Sequence, residues 1–536
     1  MICLTWHREE LGKEGMFSKV YSGTVIGIDG EIIGVEADVS DGLPIFSMVG
    51  YLSGEVKEAK ERVRIAMKNS GYHMVPKRIT VNLSPADVRK EGTAFDLPIA
   101  ISILAALGIV SDTSLSKTLL IGELSLDGSV MKVNGVLPIV YSAKRNGIKR
   151  CIVPSENAIE GATVDGIDVI GVSNLSETVD FLTNRKWIEP TYVDVKSMFI
   201  NGQNENEVDF CEVVGQHAAK RAIEVAVSGL HNILMIGPPG AGKTMLAKRI
   251  PTIMPSLSIE ESIEISKIYS ISGLLSKEQS LICSRPFRSP HHTITDAALV
   301  GGGKTVKPGE ISLATGGVLF LDELPEFKKG TIELLRQPLE ERTVTIARTH
   351  GSYTYPTNFM MCGAMNPCNC GFYPDRNLCN CSEHQVKKYL SKISKPFLDR
   401  VDIIIEANKL DHKELRKKGK EESSAAIRER VKEARRIQLE RYQKEGINFN
   451  AQLTPKMIKT YCALGKEEQD FLTLMFERMG LSARAYHRIL KVARTIADLD
   501  GMLDITKDHL SEAVCYRSLD EKYWGNNDGA ELTKRM

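Results

Sequence analysis

Long apolar stretches are scarce in this chain. The longest, Leu97 to Val110, holds 14 residues and is broken by Pro98 and Gly108. A bilayer takes about 20, so the sequence offers no membrane span. Aromatic residues make up 6% of the chain and three are Trp, and no stacking platform or base-reading motif stands out. An excess of charge of one sign is also missing. With 69 Lys and Arg against 68 Asp and Glu the net charge is +1, so any nucleic-acid surface has to be local. The first fifteen residues lack a signal-peptide layout, because Trp6, His7, Arg8, Glu9 and Glu10 interrupt them. The eleven cysteines form no even framework: four crowd between Cys368 and Cys381 and the others scatter. That excludes a secreted disulfide scaffold and makes a reducing, cytoplasmic location the expectation.

What is present is an ordinary globular balance, 42% apolar and 26% charged, over 536 residues, several times one domain of about 150. Residues 1–15 lack periodicity, and Lys13-Glu14-Gly15 can be encoded as a bacterial ribosome-binding site, so Met16 is the expected start. From 16 to 187, β-branched runs such as Ile79–Leu83 alternate with helical stretches such as Leu97–Leu107, an α/β pattern. Residues 188–207 shift to Asn, Gln, Glu and Asp around Gly202 and are expected to be a linker. Residues 208–408 alternate helices with apolar strands, the pattern of a parallel-sheet nucleotide-binding domain. Residues 409–519 are expected to be all helical, followed by a tail over 520–536. Between Lys409 and Glu445 lie thirteen Lys or Arg against eight Asp or Glu, either a phosphate-binding surface or a solvated helix face. Apolar spacing at Ile489, Leu490, Val492, Ala493, Ile496, Ala497 and Leu499 predicts a buried helix.

The chemistry begins at Gly237-Pro238-Pro239-Gly240-Ala241-Gly242-Lys243-Thr244, which fits G-x-x-x-x-G-K-[ST] between an apolar strand and a helix. Backbone N–H groups of such a loop curl around phosphates, Lys243 reaches the terminal phosphates of ATP, and Thr244 ligates Mg²⁺. A second strand, Val318–Leu321, ends in Asp322-Glu323. Asp322 is expected to hold Mg²⁺ and Glu323 to orient the attacking water. Asn366, after the strand Met360–Met365, suits a polar contact near the γ-phosphate. Charge developing on that phosphate must be neutralised. Arg400 is the candidate finger, supplied by a neighbouring subunit, and Arg484 the candidate reporter to the helical lid; a surface ion pair is the alternative for each.

Cys368-Asn-Cys370 and Cys379-Asn-Cys381 make two C-x-C pairs. Four thiolates suit a tetrahedral Zn²⁺ site, with four free thiols as the alternative. A metal there would brace the loop between Asn366 and Arg400.

At these residues the chain resembles the AAA+ superfamily and its magnesium-chelatase branch. Arg285-Pro-Phe-Arg-Ser-Pro-His-His292, Gly301-Gly-Gly303, Pro308-Gly-Glu-Ile-Ser-Leu-Ala314, Leu319 to Phe327 and Val492-Ala-Arg-Thr-Ile-Ala-Asp498 together look like the ComM/YifB family of magnesium-chelatase-like ATPases, from about Met16 to Leu519. The resemblance implies a hexameric ring with DNA as partner, driving branch migration of recombination intermediates in natural transformation. It also implies pore-facing elements around Ile282–Ile311 and Thr343–Tyr355, where Lys304, Lys307 and Arg348 are the available cations. Arg89 to Pro98 and Ile121 to Gly128 resemble a Lon-type protease domain. That chemistry needs a Ser nucleophile and a Lys base, and Ala94 and Leu137 occupy their places, so a catalytically inactive scaffold is expected. The other function in view is a chelatase-like or chaperone-like ATPase that remodels a protein.

Overall fold

The computed structural model describes residues 16–202, 208–303, 305–349, 351–409 and 421–525. The expected leader 1–15, residues 203–207 of the proposed linker, Lys304, His350, residues 410–420 and the end of the tail lie outside them. The chain packs as two compact units. One comprises Met1–Ile200 with Ile263–Ile282 and Ala347–Tyr353; the other comprises Asn201–Ser262, Cys283–Ile346 and Thr354–Met536.

The first unit is built on a seven-stranded mixed sheet, in the spatial order Phe46–Val49, Arg78–Ser84, Asp29–Ser40, Met16–Ile26, Thr118–Leu120, Arg150–Pro154 and Asp168–Val172. Met16–Ile26 and Asp29–Ser40 form a long antiparallel hairpin closed at Ile26 and Asp29, with Gly27 in the left-handed region at φ 64°. Helix Gly54–Asn69 starts where the Ser53 side chain accepts from the Val56 N–H. It buries Val56, Ala59, Val63, Ala66 and Met67, one stripe at helical spacing. Helix Asp96–Ala106 is buried throughout, so the longest apolar run of the sequence is core. The fully buried Asp96 is held by a two-pronged ion pair with Arg62, Nε–Oδ2 2.7 Å and NH2–Oδ1 2.9 Å. Burial still leaves the Asp96 carboxyl above its ordinary pKa, against the pull of Arg62.

The second unit holds a five-stranded parallel sheet in the order Phe287–Arg288, Val318–Leu321, Met360–Met365, Ile233–Ile236 and Ile403–Glu406. Its three inner strands are buried along their whole length, as expected of a parallel sheet covered on both faces. A single apolar cluster runs from sheet residues such as Ile233, Val318 and Ile403 to Ile489, Val492, Ile496 and Leu510 of helices Ala483–Leu499 and Lys507–Trp524. The helices thus share a core with the sheet. Within helix Ala483–Leu499 the expected apolar stripe is buried, and Leu499 packs half-buried against the same cluster.

One polar hub sits inside this core. The Asp498 carboxylate is buried and accepts from Arg441 (2.9 and 2.5 Å), Arg494 Nε (3.1 Å) and Asn450 Nδ2 (2.9 Å). Removing one partner of a buried ion pair leaves the remaining charges uncompensated, which costs about 3–5 kcal/mol. Asp498→Ala is therefore expected to lower the stability of this unit by that amount in urea unfolding, and wild-type stability in that variant would show the hub to be incidental.

Candidate nucleotide-binding site and cysteine cluster

At the end of strand Ile233–Ile236 the chain turns through Gly237 to Gly242 and enters helix Lys243–Ile253. Gly240 and Gly242 lie at φ 78° and 80°, backbone that glycine adopts without penalty. A Cβ on Gly237 would fall 2.2 Å from the Ala407 carbonyl oxygen, so that position tolerates no side chain. Lys243 is buried, and its Nζ donates to the carbonyls of Gly237 (2.7 Å) and Pro238 (3.0 Å) and to Asn366 Oδ1 (3.2 Å). Burial lowers its pKa, with Asp322 opposing. The Thr244 hydroxyl donates to Asp322 Oδ2 at 2.8 Å. Glu323 follows at φ 51°, an uncommon conformation for a residue with a side chain. Its carboxylate is 62% exposed and faces the His292 ring, with Nδ1 to Oε2 3.6 Å.

These groups line one open cavity of about 660 Å³, walled by Pro239 to Met245, Asp322, Glu323, Glu326, Met365, Asn366, Asn369 and Tyr389. The donor set suits a magnesium nucleotide. A glycine loop at a helix N-terminus and a buried ammonium face phosphate, and the hydroxyl and carboxylate of Thr244 and Asp322 are hard oxygen ligands already brought together. Lys243, Thr244, Asp322, Glu323 and Asn366, chosen from sequence, thus converge. His292, Glu326, Asn369 and Tyr389 were missed. His292 and Glu326 lie within the motifs Arg285–His292 and Leu319–Phe327 but were given no role there, whereas for Asn369 and Tyr389 proximity in the fold is the only signal.

Arg400 and Arg484 do not line the cavity. Arg400, 9% exposed, donates to the carbonyls of Arg336 and Pro396 and pairs with Glu340 at 2.8 Å. Arg484, 65% exposed, sits in the first turn of its helix beside Asp399, 3.4 Å away. Lys307 is exposed on the two-stranded ribbon that pairs Gly302 with Lys307, and Arg348 is exposed at the end of strand Thr343–Arg348. The basic segment looks different from its sequence. Within 421–441 every cation has a partner: Arg428 donates to the Thr252 carbonyl, Arg430 pairs with Glu224 and Glu422, and Lys432 with Glu429. Arg435 lies over the Phe449 ring, Arg436 pairs with Glu433 and Glu440, and Arg441 serves Asp498.

Cys368, Cys370, Cys379 and Cys381 bring their sulfurs within 4.8 Å of one another. Three of the separations are 3.3, 3.8 and 3.5 Å. A tetrahedral ion about 2.3 Å from each sulfur sets sulfurs roughly 3.8 Å apart, whereas a disulfide would need about 2.05 Å. The cluster therefore fits a Zn²⁺ site, and His384 is not part of it. Against desolvation, the Phe372 amide and the neighbouring thiols bring the Cys370 thiol down to about 6, while burial pushes Cys379 up to about 12.

In the first unit Ala94 and Leu137 belong to one apolar cluster, and Leu137 is fully buried. The Leu137 N–H donates to Glu160 Oε1 at 3.1 Å, and Glu160 also accepts from Asn157 and Ser270. Neither residue offers a nucleophile or a base.

Three family models match the chain: "Magnesium chelatase, subunit ChlI" over 209–415, "Subunit ChlI of Mg-chelatase" over 35–157, and "Magnesium chelatase, subunit ChlI C-terminal" over 421–517. Together with the site they define the class, a magnesium-chelatase-like ATPase of the AAA+ kind. The chain is 42% identical to the competence protein ComM of Haemophilus influenzae over 503 residues, 93% of this chain and 97% of the other. It is 41% identical to the YifB protein of Escherichia coli over 505 residues, 94% and 97% of the two chains. The chain belongs to the ComM/YifB family of magnesium-chelatase-like proteins, as its motifs led us to expect. A shorter likeness, 32% over 127 residues, links 23% of this chain to 22% of Lon protease 2 of Bacillus subtilis. Among the described residues no helix is long and apolar enough to cross a membrane.

Protein purified without chelator is expected to carry one zinc per chain, lost on changing Cys379 and Cys381 to Ser. Elemental analysis that finds no metal would leave four free thiols.

Proposed function

We propose that the chain is an ATP-driven, cytoplasmic ring motor that moves DNA, a helicase-type enzyme acting on branched recombination intermediates in natural transformation. The carrying observation is the composition of the cavity. One chain supplies a phosphate cradle, a Mg²⁺-ligating pair and a carboxylate for water, yet among the described residues no arginine lines it. Charge building on the transferred phosphoryl group needs a cation, and a neighbouring copy is the source that fits. In this reading Arg400 leaves its Glu340 partner to serve the next subunit's ATP, Arg484 reports nucleotide state, and six subunits close the ring. The relative named for competence supports the pathway.

Each side chain then has one task. Backbone N–H groups of Gly240 to Lys243 and the Lys243 ammonium bind the phosphates, and Thr244 and Asp322 would hold Mg²⁺, which would screen phosphate charge. Glu323 orients the attacking water, and Asn366 steers Lys243 and the γ-phosphate. The proposed layout is an inactive Lon-like scaffold over 16–187, a linker over 188–207, the AAA+ domain over 208–408, a helical lid over 409–519 and a tail over 520–536. Lys304, Lys307 and Arg348 are the proposed DNA contacts, favoured over the basic helix because its described cations are already paired. A second reading, remodelling of a protein partner as a chelatase motor would, draws on the three chelatase models.

Lys243→Ala is expected to abolish ATP binding. Glu323→Gln is expected to bind ATP and lose at least about a hundredfold in turnover, trapping the assembled ring in size-exclusion chromatography. Arg400→Ala should bind ATP with unchanged affinity and fail to hydrolyse it, and mixing it with Lys243→Ala should recover part of the activity. Verified mixed rings without recovery would remove Arg400 from the finger role.

For DNA, the triple change of Lys304, Lys307 and Arg348 to Ala should keep basal ATP hydrolysis and lose its stimulation by forked or single-stranded DNA. The slope of binding against salt should become shallower, because each lost phosphate contact releases fewer counterions. A wild-type protein neither bound nor stimulated by DNA would shift the assignment to protein remodelling.

A further inference from the structure

Three residues of the cavity wall flank or lie within the segment that the four cysteines tie together: Asn366 just before it, Asn369 inside it and Tyr389 on the helix that follows it. Asn369 lies between two of the cysteines. The chain makes a tight turn there, with the Gly371 N–H donating to the Cys368 carbonyl at 3.0 Å, so that Asn369 and Cys370 occupy its tip. Cys368 is buried, whereas Asn369 is exposed toward the cavity. The turn abuts the phosphate loop. Gly371 sits at φ 87°, and a Cβ on it would fall 2.4 Å from Pro239 Cδ. On the other side, Cys381 directly precedes Ser382, which caps helix Glu383–Leu390 through a reciprocal box with Gln385. That helix carries Tyr389 to the cavity wall that Asn366 also lines.

From this placement we infer that Asn369 is a nucleotide-contacting residue, and that the metal-loaded cysteine knot is the device that holds it, with Tyr389, against the phosphate loop. The inference rests on the cavity being the ATP site. A short loop hung between strand and helix loses conformational freedom only if something restrains it, and four bonds to one ion do so without the apolar core that so polar a segment cannot build. An amide suits the position, since it donates to phosphate oxygen without adding a second charge beside Lys243. The cysteines act through Asn369 and are positioning residues.

The full-length protein, loaded with zinc, is titrated with a fluorescent ATP analogue in Mg²⁺. Asn369→Ala is expected to keep one zinc per chain and the wild-type melting temperature, and to weaken the analogue about tenfold. Gly371→Ala, which drives the turn off Pro239, should also keep zinc and weaken binding. The Cys379→Ser, Cys381→Ser pair should lose zinc and weaken binding at least as much, and adding Asn369→Ala to it should cost nothing further, because both changes remove the same contact. With cobalt in place of zinc, ATP should shift the thiolate-to-metal absorption in the wild type and not in Asn369→Ala. Wild-type affinity in Asn369→Ala, or losses that add, overturns the inference even where the cysteine pair does not fold. So does a chain that carries no metal yet binds ATP fully. If Lys243→Ala abolishes binding while Asn369→Ala leaves it intact, only the inference about the knot fails. If the wild type itself binds no ATP, the cavity reading fails with it.

Discussion

The candidate site exists because parallel strands of the second unit end at one level. Ile236 pairs with Met365, and Leu321 with Gly363, so the residues leaving those strands emerge together at their carboxyl ends. The hydrogen bond from Thr244 to Asp322 closes a separation of 78 residues in sequence. It can form only while the buried sheet holds its register. Slipping a parallel strand by one residue would turn its side chains to the opposite face and carry Asp322 away from Thr244. Since the inner strands are buried on both faces, such a slip would also break a packed core, and the chemistry is thereby tied to the hydrophobic effect.

In the first unit Ala94 and Leu137 stand at the two positions where a Lon-type nucleophile and base would be sought. Ala94 and Leu137 stand in an apolar cluster, and the carboxylate of Glu160 takes up the Leu137 amide along with Asn157 and Ser270. The polar groups of this network satisfy one another. Buried polar groups that are fully paired cost little and fix geometry. Asp96 with Arg62 serves the same end elsewhere in this unit.

Charge illustrates how far composition can mislead. A local excess of Lys and Arg over 409–445 reads either as a phosphate-binding surface or as a solvated helix face. Between 421 and 441 each cation is engaged by a carboxylate, a carbonyl or a ring, and Arg441 is drawn into the core to meet Asp498. Partners such as Glu224 and Asp498 lie far away in sequence, so a window of charges cannot reveal them. Arg400 shows the same limit. Its residue type suits a finger, but its pairing with Glu340 and two carbonyls is a product of the fold.

The sequence by itself determined the phosphate loop, the acidic strand end, the family, the buried helix around Ile496 and the pairing of cysteines as C-x-C. Each of these is local: a spacing, a strand-to-helix junction or a periodicity that neighbouring residues impose on one another. Only the tertiary structure decided that Lys243 turns to Asn366, that the four sulfurs come within 4.8 Å, that Asn369 and Tyr389 wall the same cavity, and which cations are already spent. Those facts depend on contacts between residues remote in the chain, which form because burying the sheet and its helices leaves one arrangement in which the polar groups at their ends can still be satisfied.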